Sequence, residues 1–456
     1  MAKSKELKDA IDIIESYLLG EIDYEISVSD LAKYLKSIRA DDETIFIELL
    51  QKFPHDILGD LVLELPEHYL KEILENISSE QLSEAIEDLE SDDATDLIQD
   101  IEEIDEEKAE ELLSNLDKED QEEIKRLSRY SEEEAGAYMQ TEVFTASYDE
   151  KVQAAVDRLR DLKKEGKLEN VHQVAIVGKL DRLLYIISLE DMITFNFSNT
   201  FSKELEGKED DFRPRYVRDD ENISKVIEYF EDYDLIALPI VDYHGKLLGR
   251  ITSDDVHDII QERATDQIYK LAGVDDEIEH EESTFEAGKA RVTWLFLNLC
   301  TAILGASVIG LFQDVISSYV ALAILMPIVA SMGGNAGTQS LTIMVRQLAL
   351  GDIDRENAKE AIKKELSIAI ANGIIFAFSI GIVAYVWFGD TRIGIVIAIA
   401  MMINLVIAGL VGSLVPLGLK RVGIDPAVGS SVFLTTTTDI VGFFSFLGLA
   451  SLVLGT

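Results

Sequence analysis

The sequence contains a single cysteine, Cys300, and this residue lies inside an apolar run. One thiol forms no intrachain disulfide framework, so disulfide-stabilised small folds are excluded. No short apolar segment followed by a cleavage site opens the chain, and we therefore expect no removable signal peptide.

Basic residues are also scarce. The chain has 41 Lys and Arg against 86 Asp and Glu, which gives a net charge of −45. Residues 291–456 carry nine basic and nine acidic residues, so the whole imbalance belongs to residues 1–290. An acidic surface of this size repels nucleic acid and attracts cations. Solubility, or adaptation to a salty cytoplasm, is the alternative explanation for most of these carboxylates.

The neutral C-terminal part contains long stretches without any charged residue. These uncharged runs are residues 292–313, 315–345, 366–389 and 393–419. A membrane-crossing helix needs about 20 apolar residues, so each run is long enough to span a lipid bilayer. The uncharged stretches on either side of Asp439 are shorter, and they predict a fifth helix that runs through this carboxylate.

The basic residues of this part are concentrated in two connectors. They are Arg346, Arg355, Lys359, Lys363 and Lys364 between the second and third runs, and Lys420 and Arg421 before the fifth helix. The positive-inside rule assigns both connectors and residues 1–290 to the cytoplasm. We therefore predict a multi-pass protein of the plasma (inner) membrane, with cytoplasmic N-terminal domains and the C-terminus outside.

Residues 1–137 predict an acidic, all-helical N domain. A short unit recurs with starts at positions 65, 77, 89, 104 and 116. Each unit has an acid or hydroxyl residue near the helix start and then apolar residues three or four apart. This repeat favours a superhelical stack of short helices, and one irregular helical bundle is the alternative.

Residues 138–200 and 201–262 are two versions of one pattern. VHQVAIVGKLDRLLYIISLEDMI at 171–193 and LIALPIVDYHGKLLGRITSDDVHDII at 235–260 each contain two apolar strands and an acid-started helix. This duplication resembles a tandem pair of CBS domains. The resemblance implies an α/β pair that senses adenine nucleotides or ions.

In nucleotide-binding CBS domains a small hydroxyl residue precedes an aspartate, as Ser188 precedes Asp191 here and Thr252 precedes Asp255. In the first repeat, however, Glu190 stands where such relatives often have a basic residue. An acid next to a phosphate is unfavourable. This departure counts against ATP as a cofactor at Ser188 and Asp191.

Polar residues inside the predicted spans favour a cation site. Asn335 lies among glycines in PIVASMGGNAGTQSLTIM at 327–344, and amide, hydroxyl and carbonyl oxygens suit Mg²⁺ or Ca²⁺. A helix-packing seam of small residues is the alternative. Asp439 costs roughly 2.5–3.5 kcal/mol in the membrane on insertion scales, and no Lys or Arg lies within the spans to pair with it. A cation is its simplest partner, and a protonated structural aspartate is the alternative.

Taken in order, these features resemble the MgtE-type magnesium transporter family. The motifs are the acidic helical domain ending in RYSEEEAGAYM at 129–139, the CBS pair, GGNAGTQS in the second span and the aspartate of the last span. We therefore predict a multidomain membrane protein with an all-α superhelical N domain, an α/β tandem CBS pair, a plug helix at 263–290 and a five-helix α transmembrane domain at 291–456. The resemblance implies a homodimeric, Mg²⁺-selective channel that intracellular Mg²⁺ closes.

The resemblance also implies site residues, position by position. In the pore, Asp439 holds a largely hydrated Mg²⁺, Thr435 offers a backbone carbonyl and Asn335 belongs to the pore-lining signature. The implied sensor carboxylates are Asp92, Asp96, Asp234, Asp255, Asp258 and Asp266. Two further acidic sensor positions of the family are Asn222 and Ser224 here, and Thr338 stands where relatives often have asparagine.

Two other classes of protein fit parts of the sequence. A proton-coupled secondary transporter would use Asp439 as a proton carrier and exchange H⁺ for Mg²⁺, Co²⁺ or Mn²⁺. A CBS-regulated membrane enzyme or receptor is the other class, but the spans contain no histidine, no cysteine pair and no Ser–His arrangement. We therefore predict a transporter that is not an enzyme; the residue types do not separate Mg²⁺ from Co²⁺ or Mn²⁺.

Overall fold

A computed structural model describes residues 2–21, 26–166, 168, 170–274, 284–349, 353 and 357–455. The chain forms two compact units, Met1–Gln261 and Glu262–Thr456.

The first unit opens with a succession of short helices. They are α1 (Ala2–Leu18), α2 (Val28–Arg39), α3 (Glu43–Leu50), α4 (His55–Glu64), α5 (Leu70–Asn76), α6 (Ser79–Glu87), α7 (Ser91–Ile104), α8 (Glu106–Asn115) and α9 (Lys118–Leu127). Helix α2 packs on α4, α4 on α6 and α6 on α8 around one apolar core. Each of the five predicted repeat units forms one of the helices α5–α9, so the predicted stack of short helices is confirmed.

Side-chain caps explain why these helices are short. Ser78 accepts a hydrogen bond from the Gln81 amide at the start of α6, and Asp105 accepts one from the Lys108 amide at the start of α8. Such caps satisfy amide groups that have no partner inside the helix. In these two units the hydroxyl or acid residue that marks the repeat therefore begins a new helix, whereas α5, α7 and α9 start without such a bond from the described residues.

The rest of the first unit contains two three-stranded sheets with the same topology. Their elements are β1 (Thr145–Ser147), α10 (Val152–Lys164), β2 (Gln173–Val177), β3 (Leu183–Ser188), α11 (Leu189–Thr194), α12 (Phe201–Leu205), β4 (Val217–Arg218), α13 (Ile223–Tyr233), β5 (Ala237–Val241), β6 (Leu247–Thr252) and α14 (Ser253–Ala272). In each sheet a short strand pairs in parallel with the middle strand, which pairs antiparallel with the third. The predicted duplication of an α/β unit is confirmed.

Helix α14 starts in the second CBS repeat and continues past residue 262 to Ala272, where Gly273 adopts φ +72°. The predicted plug helix spans 263–290. The described residues are helical up to Ala272 and again from Thr284, and residues 275–283 lie outside them.

The second unit contains the membrane helices. They are α15 (Thr284–Gly310), α17 (Val320–Ala349), α18 (Ala358–Phe388), α19 (Thr391–Arg421) and α20 (Ser430–Leu454), with a short α16 (Gln313–Ser318) between the first two. The five long helices are apolar enough to cross a membrane, and α20 runs through Asp439 as predicted. Tyr319, at φ −133° and ψ 85°, separates α16 from α17, so the second span begins a few residues later than its uncharged run. Helix α19 packs against α17, α18 and α20.

Candidate cation sites

Asp439 lies half-buried in the middle of α20. Among the described residues its carboxylate takes part in no hydrogen bond or ion pair. Gly305 of α15 faces it, since a Cβ at that glycine would lie 3.8 Å from the Asp439 Cβ. A carboxylate without a protein partner in a membrane helix is available to a cation.

The four threonines before Asp439 bond to their own helix. The Thr436 and Thr437 hydroxyls donate to the carbonyls four residues earlier, at 2.6 and 2.8 Å. Thr435 donates to the Ser431 carbonyl at 3.0 Å, and the Thr435 carbonyl accepts from the Thr438 hydroxyl at 3.0 Å. Thr435 and Asp439 are four residues apart and share a helix face.

Asn335 is exposed on α17, and its Nδ2 donates to the Ser331 hydroxyl at 3.4 Å. Helices α17 and α20 pack closely, because a Cβ at Gly337 would lie only 2.5 Å from the Leu434 side chain. Gly337 is two residues after Asn335, and Leu434 directly precedes Thr435. The two helices that carry the predicted pore residues are therefore neighbours.

Asn404 is a polar residue of this region that the sequence analysis missed. It is fully buried on α19 and donates from Nδ2 to the Val329 carbonyl of α17 at 2.8 Å. A Cβ at Gly333 or Gly442 would lie 2.2 or 2.8 Å from that nitrogen, so the amide sits between α17 and α20. Its Oδ1 accepts no hydrogen bond from the described residues. The available signal was a single amide in the apolar run 393–419.

A second candidate site lies in the first unit, at the start of α7. Carboxylate oxygens of Glu90, Asp92 and Asp93 lie within 4.8 Å of one another. Asp92 is only 6% exposed, and its Oδ1 has no hydrogen-bond partner among the described residues. Of these three, the sequence analysis named only Asp92. We call Glu90, Asp92 and Asp93 the acidic cluster.

Burial makes the charged forms of these groups unfavourable. It raises the pKa of Glu90 to about 7 and that of Asp93 to about 6, and the pKa of Asp92 lies well above its ordinary value. The charge of Asp255 raises the pKa of Asp93 further. Desolvated, mutually repelling carboxylates gain from a divalent cation, and oxygen ligands of this kind suit Mg²⁺.

Asp255 is held at the start of α14. Its Oδ2 accepts from the Thr252 hydroxyl at 2.7 Å, the Thr252 amide at 3.0 Å and Gln140 Nε2 at 3.4 Å. The segment that carries Gln140 also contacts α7, because Ser91 donates to Glu142 Oε2 at 3.1 Å. Residues 140–142 therefore connect the acidic cluster to the second CBS repeat.

The remaining predicted sensor residues lie elsewhere. Asp96, Asp234 and Asp258 are exposed and do not belong to the acidic cluster. Asp266, in the second unit, lies 2.6 Å from Lys270 Nζ, which also lies 3.2 Å from Asp425 Oδ2. Lys270 thus bridges the end of α14 and the connector before α20.

The two positions where the family pattern has acids form a local cap. Asn222 accepts from the Ser224 amide at 2.9 Å at the start of α13, and it donates to Glu133 Oε2 at 2.8 Å. The local role of these residues is to begin a helix.

A cavity of about 500 Å³ lies in the CBS pair. Its lining includes Arg213 and Arg215, which would attract phosphate, and Asp210 and Asp211, which would repel it. Ser188 and Asp191 do not line it. The Ser188 hydroxyl donates to Asp191 Oδ2 at 2.6 Å and accepts from the Asp191 amide at 3.0 Å, which caps α11.

Comparisons with known proteins match most of the chain. Residues 326–449 match the MgtE profile, described as a divalent cation transporter, residues 26–133 match the MgtE intracellular N domain, and residues 135–197 and 211–262 match the CBS domain. A crystallised cytosolic domain of the Mg²⁺ channel MgtE in complex with ATP matches with 25% identity and a TM-score of 0.47, over 55% of this chain and 93% of that one.

Curated relatives cover most of the sequence. The chain is 33% identical over 329 residues to the magnesium transporter MgtE of Enterococcus faecalis, which is 72% of this chain and 71% of the relative. It is 31% identical over 333 residues to the magnesium transporter MgtE of Thermus thermophilus, and this match covers 73% of this chain and 72% of the relative. The chain belongs to the MgtE family of magnesium transporters.

Proposed function

We propose that the chain is a Mg²⁺-selective channel that imports magnesium across the plasma membrane and closes when intracellular Mg²⁺ binds its cytoplasmic carboxylates. The observation that carries the gating proposal is the acidic cluster, with three carboxylates within 4.8 Å at a buried helix start. At an effective dielectric constant of 20, two like charges about 4 Å apart repel by about 4 kcal/mol. A divalent cation removes this repulsion and stabilises the closed arrangement.

For the pore we propose Asp439 as the residue that binds the permeating ion, with the Thr435 carbonyl and Asn335 beside it. Mg²⁺ gives up its water reluctantly, so oxygen groups that recognise the hydrated ion are a suitable selectivity device. The packing of α17 against α20 supports this assignment, because these helices carry all three residues.

For the sensor we propose that Asp92 and Asp255 act with Glu90 and Asp93. Asp96, Asp234 and Asp258 would add exposed carboxylates to the sensor. Asp266 would act at the end of α14. Helix α14 begins beside Asp255 and continues to Lys270, so it is suited to transmit a change at the sensor towards the membrane helices. We also propose that the chain forms a homodimer and that its C-terminus lies outside the cell. The proposed domain boundaries are residues 137, 200, 262 and 290.

The test is Mg²⁺ flux into proteoliposomes at several Mg²⁺ concentrations on the cytoplasmic face. We expect flux that falls as cytoplasmic Mg²⁺ rises, no flux for Asp439→Asn, and flux that stays high for Asp92→Asn. Flux of the wild type that ignores cytoplasmic Mg²⁺ would reject the sensor, and full flux of Asp439→Asn would reject the pore residue.

A proton-coupled transporter of divalent cations is the alternative. It predicts that Mg²⁺ entry carries protons outwards and responds to a pH gradient, whereas a channel responds to the Mg²⁺ gradient and the membrane voltage.

Nucleotide binding is a second proposal, which the arginines of the CBS cavity favour and its aspartates oppose. Titration of the wild type and of Arg213→Ala with ATP measures whether the cavity binds nucleotide. Ser188→Ala tests in the same way the predicted pair of Ser188 and Asp191.

A further inference from the structure

Arg250 lies on β6 with its side chain 3% exposed. Its Nε donates to Gln140 Oε1 and its Nη1 donates to the Asn170 carbonyl, both at 3.2 Å. Its Nη2 is buried, donates no hydrogen bond to any described residue, and lies 3.9 Å from Glu90 Oε1. A permanent positive charge therefore stands beside the acidic cluster.

The position of this guanidinium joins separate parts of the first unit. Arg250 belongs to the second sheet, Asn170 to the first repeat, Gln140 to the connecting segment and Glu90 to the start of α7. Arginine is rarely buried unless it is paired, and an incompletely bonded buried charge is costly. The hydrogen bonds to Gln140 and Asn170 fix the guanidinium in place, so the charge on Nη2 acts on Glu90.

We infer that Arg250 is a resident counter-cation of the sensor, which holds the start of α7 against β6 when cytoplasmic Mg²⁺ is low. This inference rests on the proposed sensor function. Arg250 supplies one positive charge that does not dissociate, and Mg²⁺ supplies the remainder. The Mg²⁺-free protein therefore keeps part of the attraction between these segments, and Mg²⁺ completes it.

The test measures proteinase K cleavage of the full chain in lipid nanodiscs, without Mg²⁺ and at saturating Mg²⁺. Arg250→Met removes the charge and keeps the aliphatic stem, and Arg250→Lys keeps a charge. Arg218→Met is the matched control, because it removes a partly exposed arginine of the same repeat that pairs with Asp220. Cleavage is mapped to the start of α7 and the segment 139–144.

Without Mg²⁺ we expect cleavage of Arg250→Met to be about tenfold faster than that of the wild type, a typical size for coupling between sites. At saturating Mg²⁺ the two rates should agree, and Arg250→Lys and Arg218→Met should follow the wild type under both conditions. Rescue by Mg²⁺ is the decisive result, because a residue that only packs would leave a defect that Mg²⁺ does not repair.

Two results overturn the inference. One is equal cleavage of Arg250→Met and wild type without Mg²⁺. The other is a defect of Arg250→Met, including failure to fold, that persists at saturating Mg²⁺. If Mg²⁺ changes the cleavage of neither the wild type nor any variant, the proposed sensor function itself fails. This pattern is distinguishable from the two results that overturn only the role of Arg250.

Discussion

Asn404 Nδ2 donates a hydrogen bond to the Val329 carbonyl at 2.8 Å, and this bond joins α19 to α17 inside the membrane unit. Val329 is four residues before Gly333, and the missing side chain at Gly333 makes room for the amide. On the other side the amide meets Gly442 of α20. One side chain thereby fixes the relative positions of the helices that carry Asn335 and Asp439.

Replacing Asn404 by leucine should keep the branching of the side chain and remove the hydrogen bond, while the larger leucine adds crowding against Gly333 and Gly442. Hydrogen bonds between membrane helices contribute about 0.6–2 kcal/mol, so we expect a lower thermal stability in detergent, measured by the melting of purified protein. Asn298→Leu is the control, because Asn298 is exposed on α15. Equal stability of Asn404→Leu and wild type would contradict the role given to this bond.

Gly333 and Gly334 are adjacent glycines that should respond differently to alanine. A Cβ at Gly333 would lie 2.2 Å from Asn404 Nδ2, and Asn404 has no room to retreat because Gly442 packs on its other side, whereas nothing lies within 4 Å of a Cβ at Gly334. Overpacking a core costs about 1–3 kcal/mol. We expect Gly333→Ala to lower the melting temperature and Gly334→Ala to leave it unchanged; equal effects of both would contradict this packing.

Much of the fold followed from periodicity and charge. Uncharged runs predicted four spans, the two shorter uncharged stretches around Asp439 predicted a fifth helix through it, and repeated helix-start residues predicted α5–α9. These are local signals, because each depends on residues that are close in the sequence. The break at Tyr319 was missed, since an uncharged run does not show where a helix begins.

The sites were predicted less completely because they depend on residues that are distant in the chain. The family resemblance pointed to Asp92, but it did not show that Glu90 and Asp93 share its cluster or that Arg250 lies 3.9 Å from Glu90. Asn404 carries no motif, and its importance comes from two glycines on other helices. Asp439 and Asn335 were singled out as polar residues within apolar runs, whereas the family resemblance alone supplied Thr435, and the roles of all three remain proposals.

Lys270 connects the end of α14 to the connector before α20, through Asp266 at 2.6 Å and Asp425 at 3.2 Å. Burial alone would lower the pKa of Lys270, but hydrogen bonds to the two aspartates raise it, so the lysine is a stable cation. Trp294 lies next to both segments, within 3.6 Å of a Cβ placed at Gly273 and 3.8 Å of one placed at Gly429.

Lys270→Met should therefore loosen this connection, because Asp266 and Asp425 then repel each other. In a Trp387→Phe background Trp294 is the remaining tryptophan, and we expect its emission to shift to the red as water reaches it. Added Mg²⁺ should reverse the shift by replacing the lysine charge. Lys364→Met, at an exposed position on α18, is the control. An unchanged spectrum of Lys270→Met would show that the ion pairs do not hold the two segments together.

The acidic cluster makes stability depend on pH in a direction opposite to ordinary acid denaturation. The pKa of Asp93 is raised to about 6 by burial and by the charge of Asp255, whereas in the unfolded chain it keeps its ordinary value near 4. Between these values the folded protein binds more protons than the unfolded chain. In the Mg²⁺-free protein, the contribution of Asp93 to folding stability is therefore fully present below about pH 4, and it is lost as the pH rises through about 6.

Asp93→Asn should remove this loss, because the amide imitates the protonated acid. Without Mg²⁺ we expect the variant to be more stable than wild type by on the order of 3 kcal/mol at pH 8 and equal to it near pH 4, since one pKa unit corresponds to about 1.4 kcal/mol. At saturating Mg²⁺ and pH 8 the order should reverse, because the amide is a weaker ligand than the carboxylate. Thermal unfolding at both pH values, with and without Mg²⁺, measures this, and Glu103→Gln, an exposed acid on α7, is the control. A variant that is less stable than wild type at pH 8 without Mg²⁺ would mean that Asp93 is stabilised by a partner rather than strained by its neighbours.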